Sequence, residues 1–123
     1  MKLLAVCAGV EAVTGAILTY APNFVVRLLL GTNLSAPGEA LGHLAGFAFF
    51  SFGIVCWPTA DSPGTNRAAA RGLLLYNVLA AIFLIYLGLE RTFSGPLLWP
   101  AAALHSILSI LLARVVVKDF AIK

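Results

Sequence analysis

Long apolar stretches separated by short polar segments occur four times along the chain. The first extends from Leu3 to Tyr20, with Glu11 as its one charged residue, and three later stretches carry no charge: 40–60, 72–89 and 92–113. About twenty apolar residues in a helix cross the ~30 Å hydrocarbon layer of a bilayer. The pattern therefore predicts four transmembrane helices, over about 3–20, 39–57, 68–89 and 97–117.

A fifth, shorter apolar run follows the first span and is too short to cross a bilayer. Pro22 near its start and Gly31 just past its end are the usual boundary residues of a helix. We expect a short helix over about 22–30 on the outer membrane surface, with Arg27 toward the lipid headgroups. A helix buried in the loop is the alternative.

The connecting segments predict how the spans are joined. The stretch 59–66 is the most polar in the chain, and its Pro63-Gly64 pair indicates a turn in an exposed cytoplasmic loop between the two halves. No internal repeat is evident, so residues 1–123 form one domain. The predicted fold class is an all-α, integral-membrane, up-down four-helix bundle with a short interfacial helix after the first span.

The charge content agrees with a membrane protein and excludes a soluble domain. Only 11% of the 123 residues are charged, whereas a soluble domain needs about a quarter. The net charge of +3 comes from basic residues in loops and tails, without clusters or interleaved aromatic residues, so a nucleic-acid partner is not expected.

The distribution of lysine and arginine predicts the orientation. Six of these residues fall on the side of the termini in a four-span arrangement and two, Arg27 and Arg91, on the other. Cytoplasmic flanks collect basic residues, so we expect both termini in the cytoplasm, most simply at a bacterial inner membrane. In that reducing compartment Cys7 and Cys56 are expected to be buried free thiols.

Small residues indicate where helices pack. The first span carries a stripe from Ala5 to Ala16 that includes Gly9 and Gly15, and the second carries Gly42-x-x-x-Gly46 followed by Gly53. In lipid, small residues allow the close backbone approach that holds helices together. These stripes face each other or a neighbouring subunit, so a homo-oligomer or a larger membrane complex is expected.

Three polar side chains from three spans are predicted to lie at similar depth. Glu11 is ~12 Å above the inner boundary, at ~1.5 Å per residue from Leu3. Asn77, entering from the same side, comes to nearly the same height. His105 enters from the outside and lies within a turn or two of both, accompanied by Ser109.

The energetic cost of burying an ionised carboxylate in hydrocarbon is several kcal/mol. We therefore expect Glu11 to be neutral or paired with a cation such as protonated His105. A structural interpretation has neutral Glu11 donating to Asn77 or to a backbone carbonyl. The functional interpretation is a ligand-binding or proton-carrying site made of Glu11, Asn77, His105 and Ser109.

No metal site and no cofactor are predicted, because no His, Cys, Asp or Glu residues have ligand spacing. Heme or quinone remain alternatives: two imidazoles, of His43 and His105, can ligate heme iron, although they differ in depth by roughly 5 Å. A satisfied or headgroup-facing His43 is the favoured interpretation. No nucleophile–base motif or phosphate-binding loop is present.

Three functional hypotheses follow. The first is a non-catalytic membrane protein that binds a lipophilic ligand or serves as an accessory subunit of a membrane complex. The second is a proton-coupled small-molecule transporter: in length, four spans and Glu11 inside the first span, the chain resembles the small multidrug resistance transporters. That resemblance implies a protonatable Glu11 and extends no further. The third is a small membrane enzyme with Glu11 and His105 as an acid–base pair on a lipid-like substrate.

Overall fold

The structure, a computed structural model, describes residues 1–59 and 63–121. Residues 60–62 of the predicted cytoplasmic loop and residues 122–123 of the predicted cytoplasmic tail lie outside the described residues. Within the described ranges the regular structure is entirely helical. The helices are α1 (Lys2–Tyr20), α2 (Pro22–Leu30), α3 (Ala36–Val55), α4 (Pro63–Glu90) and α5 (Leu98–Ala121).

Four of these helices, α1, α3, α4 and α5, are long and apolar enough to cross a membrane. The outward faces of all four carry large apolar side chains that are more than half exposed, among them Val6, Val13, Leu44, Leu75, Ile82, Ile107 and Ile110. A water-soluble bundle places polar residues on these faces. The exposed apolar surface is therefore that of an integral membrane protein, as the sequence predicts.

Local signals explain where the helices begin and end. The Ser35 hydroxyl accepts a hydrogen bond from the Gly38 backbone N–H at 3.2 Å and caps α3. Gly31 ends α2 in the left-handed conformation, with φ of 73°. The Pro63-Gly64 pair, predicted to form a turn, instead opens α4, because proline already has the helical φ and has no N–H that the first turn would leave unpaired.

Helices α1 and α3 touch through their backbones. Gly46 abuts the backbone of Thr19, and Gly53 abuts that of Ala12; a Cβ atom at Gly53 would lie 2.5 Å from the Ala12 nitrogen. These contacts make α1 and α3 antiparallel. Gly15 of α1 likewise packs on the backbone of Phe50. The two small-residue stripes thus face each other within one chain.

Helices α4 and α5 form the second antiparallel pair, with Gly88 of α4 against the Trp99 ring near the start of α5. A buried apolar cluster joins the two pairs at the end of the molecule that holds the first turns of α1. Its buried members are Leu4, Cys7, Ala8, Cys56, Ala69, Ala70, Leu73, Leu108 and Leu112. Both cysteines are free thiols.

At the opposite end, α2 is joined to the α4–α5 connection by backbone contacts. The Leu97 N–H donates to the Leu28 carbonyl at 2.8 Å, and the Ser94 N–H donates to the Leu30 carbonyl at 3.2 Å. Gly95 lies against the backbone of Leu29, where a Cβ atom would find no room. A second apolar cluster of Leu84, Leu98 and Ala102 packs beneath α2.

We expect Gly53→Ala to destabilise the protein, because the added methyl group meets backbone atoms of α1 that cannot move independently. Overpacking of this kind costs about 1–3 kcal/mol, measured as a lower midpoint of unfolding by SDS in mixed micelles. Gly64→Ala is the matched control, since nothing lies within 4 Å of its Cβ position. Equal midpoints for the two variants would contradict a backbone-to-backbone contact at Gly53.

Candidate ligand-binding site

Two polar side chains are buried inside the bundle. Among the described residues, Glu11 is 1% exposed and Asn77 is 0% exposed, and they are the buried residues with polar or charged side chains. Glu11 lies midway along α1 and Asn77 midway along α4. A buried polar group needs a hydrogen-bond partner, because an unpaired one costs about 1–3 kcal/mol. The partners of these two groups define the candidate site.

Both polar atoms of the Asn77 side-chain amide make a hydrogen bond. Its Nδ2 atom donates to the Leu73 carbonyl one turn earlier at 2.8 Å. Its Oδ1 atom lies 2.8 Å from Nδ1 of His105 on α5. Asn77 and His105, which were predicted to lie within a turn or two of each other in depth, are thus joined by a direct hydrogen bond.

Glu11 has a different neighbour. Its carboxyl group lies beside the Tyr76 hydroxyl, which is placed to bond it. Its Oε1 atom is buried and has no hydrogen-bond partner among the described residues. Among the described residues, the expected pairings of Glu11 with His105 and with Asn77 are not formed, because Asn77 and His105 bond each other and Tyr76 takes the position beside the carboxyl group.

Tyr76 is the site residue that the sequence analysis missed. Its ring packs edge-on against Phe49 and Phe52 of α3, with centroid distances of 5.4 and 5.9 Å. It also packs edge-on against the His105 ring at 5.7 Å. Tyrosine in a membrane helix normally marks the interface, so its position at mid-span, directly before Asn77, was the available signal.

Ser109 does not join this cluster. Its hydroxyl donates to the His105 carbonyl at 2.7 Å, one turn earlier on α5. Ser106 makes the same kind of bond to the Ala102 carbonyl at 2.7 Å. In an apolar helix the nearest acceptor for such a hydroxyl is the backbone of its own preceding turn. Both serines thus satisfy their hydroxyl donors locally.

His43, the other histidine, has a packing role. Its Nδ1 atom lies 2.7 Å from the Thr19 carbonyl of α1, and because a carbonyl only accepts, Nδ1 is the donor. The imidazole thus bridges α1 and α3. This is the satisfied His43 of the favoured interpretation, whereas His105 bonds within the other helix pair.

A cavity of about 800 Å³ lies between the two helix pairs. All five helices contribute to its wall, which is predominantly aliphatic and aromatic, and its polar side chains are Thr14, Tyr76 and His105. Tyr76 is the lining residue closest to the start of α4, and His105 is the one closest to the end of α5. The polar groups are therefore gathered at the end of the cavity farthest from α2.

The cavity is partly enclosed and partly open at the surface of the bundle. Phe24, Leu79 and Phe83 line it and are nevertheless more than half exposed. In a membrane these side chains face hydrocarbon. In a membrane, the open part of the cavity would therefore adjoin lipid.

Hydrogen bonding is the chemistry that the described side chains offer here. Within ranges 1–59 and 63–121, no three His, Cys, Asp or Glu residues lie close enough together to hold a metal ion. Instead, the site presents an imidazole and a phenol hydroxyl beside a buried carboxyl group.

Comparison of the chain with protein-family models, with curated proteins and with solved structures found no match. Function is therefore inferred from the geometry of this chain.

We expect Asn77→Leu to leave the Nδ1 donor of His105 without its acceptor. The loss should lower the free energy of unfolding by about 1–3 kcal/mol, measured by SDS titration in micelles, and it should change the ¹⁵N chemical shifts of the His105 ring. His43 is the control in the same spectrum, since its acceptor is the Thr19 carbonyl. An unchanged His105 spectrum would contradict the Asn77–His105 bond.

Proposed function

We propose that the protein is a non-catalytic membrane protein that binds a lipophilic small molecule in the cavity between its helix pairs. The observation that carries this proposal is the form of the cavity. Its volume is about 800 Å³, its wall is mostly apolar, and its polar groups lie at one end. Small-molecule sites have volumes of roughly 300–1,000 Å³, apolar walls and a few polar groups that set orientation.

The arrangement suits a molecule with a long apolar body and one polar end. The apolar body would lie along the walls formed by Leu79, Phe83 and Leu104. The polar end would reach Tyr76 and His105, whose hydrogen bonds would replace those that this end makes to water or to lipid headgroups. A fully apolar occupant would leave those two side chains without a partner from the cavity.

Placement in the membrane completes the proposal. Both termini are assigned to the cytoplasm by the excess of Lys and Arg on their side, in a bacterial inner membrane. Helix α2 then lies at the outer surface with Arg27 toward the headgroups, and it forms the outer part of the cavity wall. The protein would act as a homo-oligomer or as an accessory subunit of a larger membrane complex, through its outward apolar faces.

Filling the cavity should prevent binding. We expect Ala80→Phe, at a lining position on α4, to reduce photolabelling by a diazirine analogue of hexadecanol about tenfold in lipid nanodiscs, a loss of ~1.4 kcal/mol. Labelled residues are mapped by mass spectrometry of proteolytic fragments.

The matched control is Ala103→Phe, which adds the same ring at an exposed position of α5 that does not line the cavity. It should retain wild-type labelling at cavity residues. Equal labelling of all three proteins, or labelling of outward faces alone, would show that bulk lipid contact and not the cavity accounts for the signal.

One observation favours a second function, a proton-coupled transporter of small molecules. The buried Oε1 atom of Glu11 has no partner among the described residues, and Tyr76 connects this carboxyl group to the cavity. A carboxyl group that is not saturated by the bundle can exchange a proton when a cationic substrate arrives. In a purely structural role, both oxygens would be expected to have partners.

The two functions differ in the expected effect of Glu11→Gln. A transporter should release protons when tetraphenylphosphonium binds in weakly buffered detergent solution, and Glu11→Gln should abolish that release, as read by a pH-sensitive dye. A ligand-binding protein should show no release and should retain hexadecanol labelling in Glu11→Gln, because the amide has nearly the shape of the carboxyl group and can still bond a neighbour such as Tyr76. Tetraphenylphosphonium binding without proton release in the wild type would exclude the transporter.

A further inference from the structure

The orientation of the Asn77 amide determines which nitrogen of His105 carries a hydrogen. The Leu73 carbonyl can only accept a hydrogen bond, so the amide group that faces it at 2.8 Å is the NH₂ group. The amide oxygen therefore faces His105. The opposite orientation would place two oxygen atoms against each other at this distance.

The amide oxygen also can only accept, so Nδ1 of His105 is the donor in the Asn77–His105 bond. In a neutral imidazole the second nitrogen, Nε2, is then an acceptor. The neutral form is favoured because the cavity wall is apolar and the hydrogen-bond partner of the ring is a neutral amide, not a carboxylate. Charging an imidazole there without an anionic partner is costly.

The acceptor Nε2 is available to a molecule in the cavity. His105 lines the cavity, its bond to Asn77 uses Nδ1, and Nε2 is not among the buried atoms that lack a partner. It is thus accessible and unoccupied by the side chains of the described residues. At the polar end of the cavity, His105 offers a lone pair and no hydrogen.

The geometry points to a ligand class: a lipophilic alcohol or phenol whose hydroxyl group donates a hydrogen bond to Nε2 of His105, with its apolar body along the cavity. This inference rests on the proposed ligand-binding function. A ketone, ester or ether of the same length presents only lone pairs to Nε2 and forms no such bond. Asn77 is a positioning residue, because it acts on the ligand through the tautomer of His105.

A competition experiment in nanodiscs tests the assignment. Labelling of wild-type protein by the diazirine analogue of hexadecanol is displaced with hexadecanol or with its methyl ether, which has the same chain and no hydroxyl hydrogen. We expect the ether to require about a tenfold higher concentration, which corresponds to ~1.4 kcal/mol. Addition of hexadecanol should also move the ¹⁵N resonance of His105 Nε2 more than that of Nδ1.

A matched pair of variants assigns the preference to a residue. His105→Phe keeps a ring in the cavity wall and should bind alcohol and ether equally. His43→Phe, on the other helix pair, should keep the tenfold preference. The spectroscopic measurement on wild-type protein keeps the test decisive if His105→Phe does not fold.

Equal displacement by alcohol and ether in the wild type would overturn the hydroxyl assignment while leaving the lipophilic-ligand function in place. Persistence of the preference in His105→Phe, or an Nε2 resonance that does not move, would overturn it as well. Failure of hexadecanol to displace any cavity label would instead remove the proposed function itself.

Discussion

Direct backbone contact between α1 and α3 is the constraint on which the remaining architecture depends. In lipid the hydrophobic effect contributes little to helix association, and van der Waals packing at small residues must replace it. Gly15, Gly46 and Gly53 let the two helices touch between Ala8 and Thr19 of α1 and between Gly46 and Gly53 of α3. Helix α1 packs closely on α3, and α4 packs closely on α5. The space between the two pairs is therefore not filled by side chains along its whole length, and the cavity lies in this space.

The polar groups mark the level at which this space closes. On one side of them the buried cluster around Leu73 and Leu112 joins the two pairs; on the other side the cavity begins. Tyr76 is in contact with groups from α1, α3 and α5 at this level. It therefore connects the buried carboxyl group of Glu11, in one helix pair, to the imidazole of His105, in the other. A residue packed between the two helices of a single pair could not contact both groups.

Much of the fold was predictable because bilayer thickness limits what a long apolar run can be. The similar level of Asn77 and His105 along the bundle was predicted from the rise per residue, and the glycine stripes indicated the α1–α3 contact. The partners within the site were not predictable, since they depend on the rotation of each helix about its axis. Tyr76, and not His105 or Asn77, lies beside Glu11. Ser109 bonds the backbone of its own helix. The start of α4 at Pro63 was missed because Pro-Gly pairs also form turns. The cavity, a property of tertiary packing, leaves no local pattern.

The backbone contacts between α2 and the α4–α5 connection affect how fast a ligand of the proposed kind could be exchanged. Two peptide hydrogen bonds and the Gly95–Leu29 backbone contact close that end, so a ligand of the proposed kind would have to break them to leave past α2. Leu79 and Phe83 line the cavity and are more than half exposed, so leaving past them would break no backbone hydrogen bond. Residence time would then be governed by the lateral pressure and composition of the surrounding lipid rather than by events in the aqueous phase.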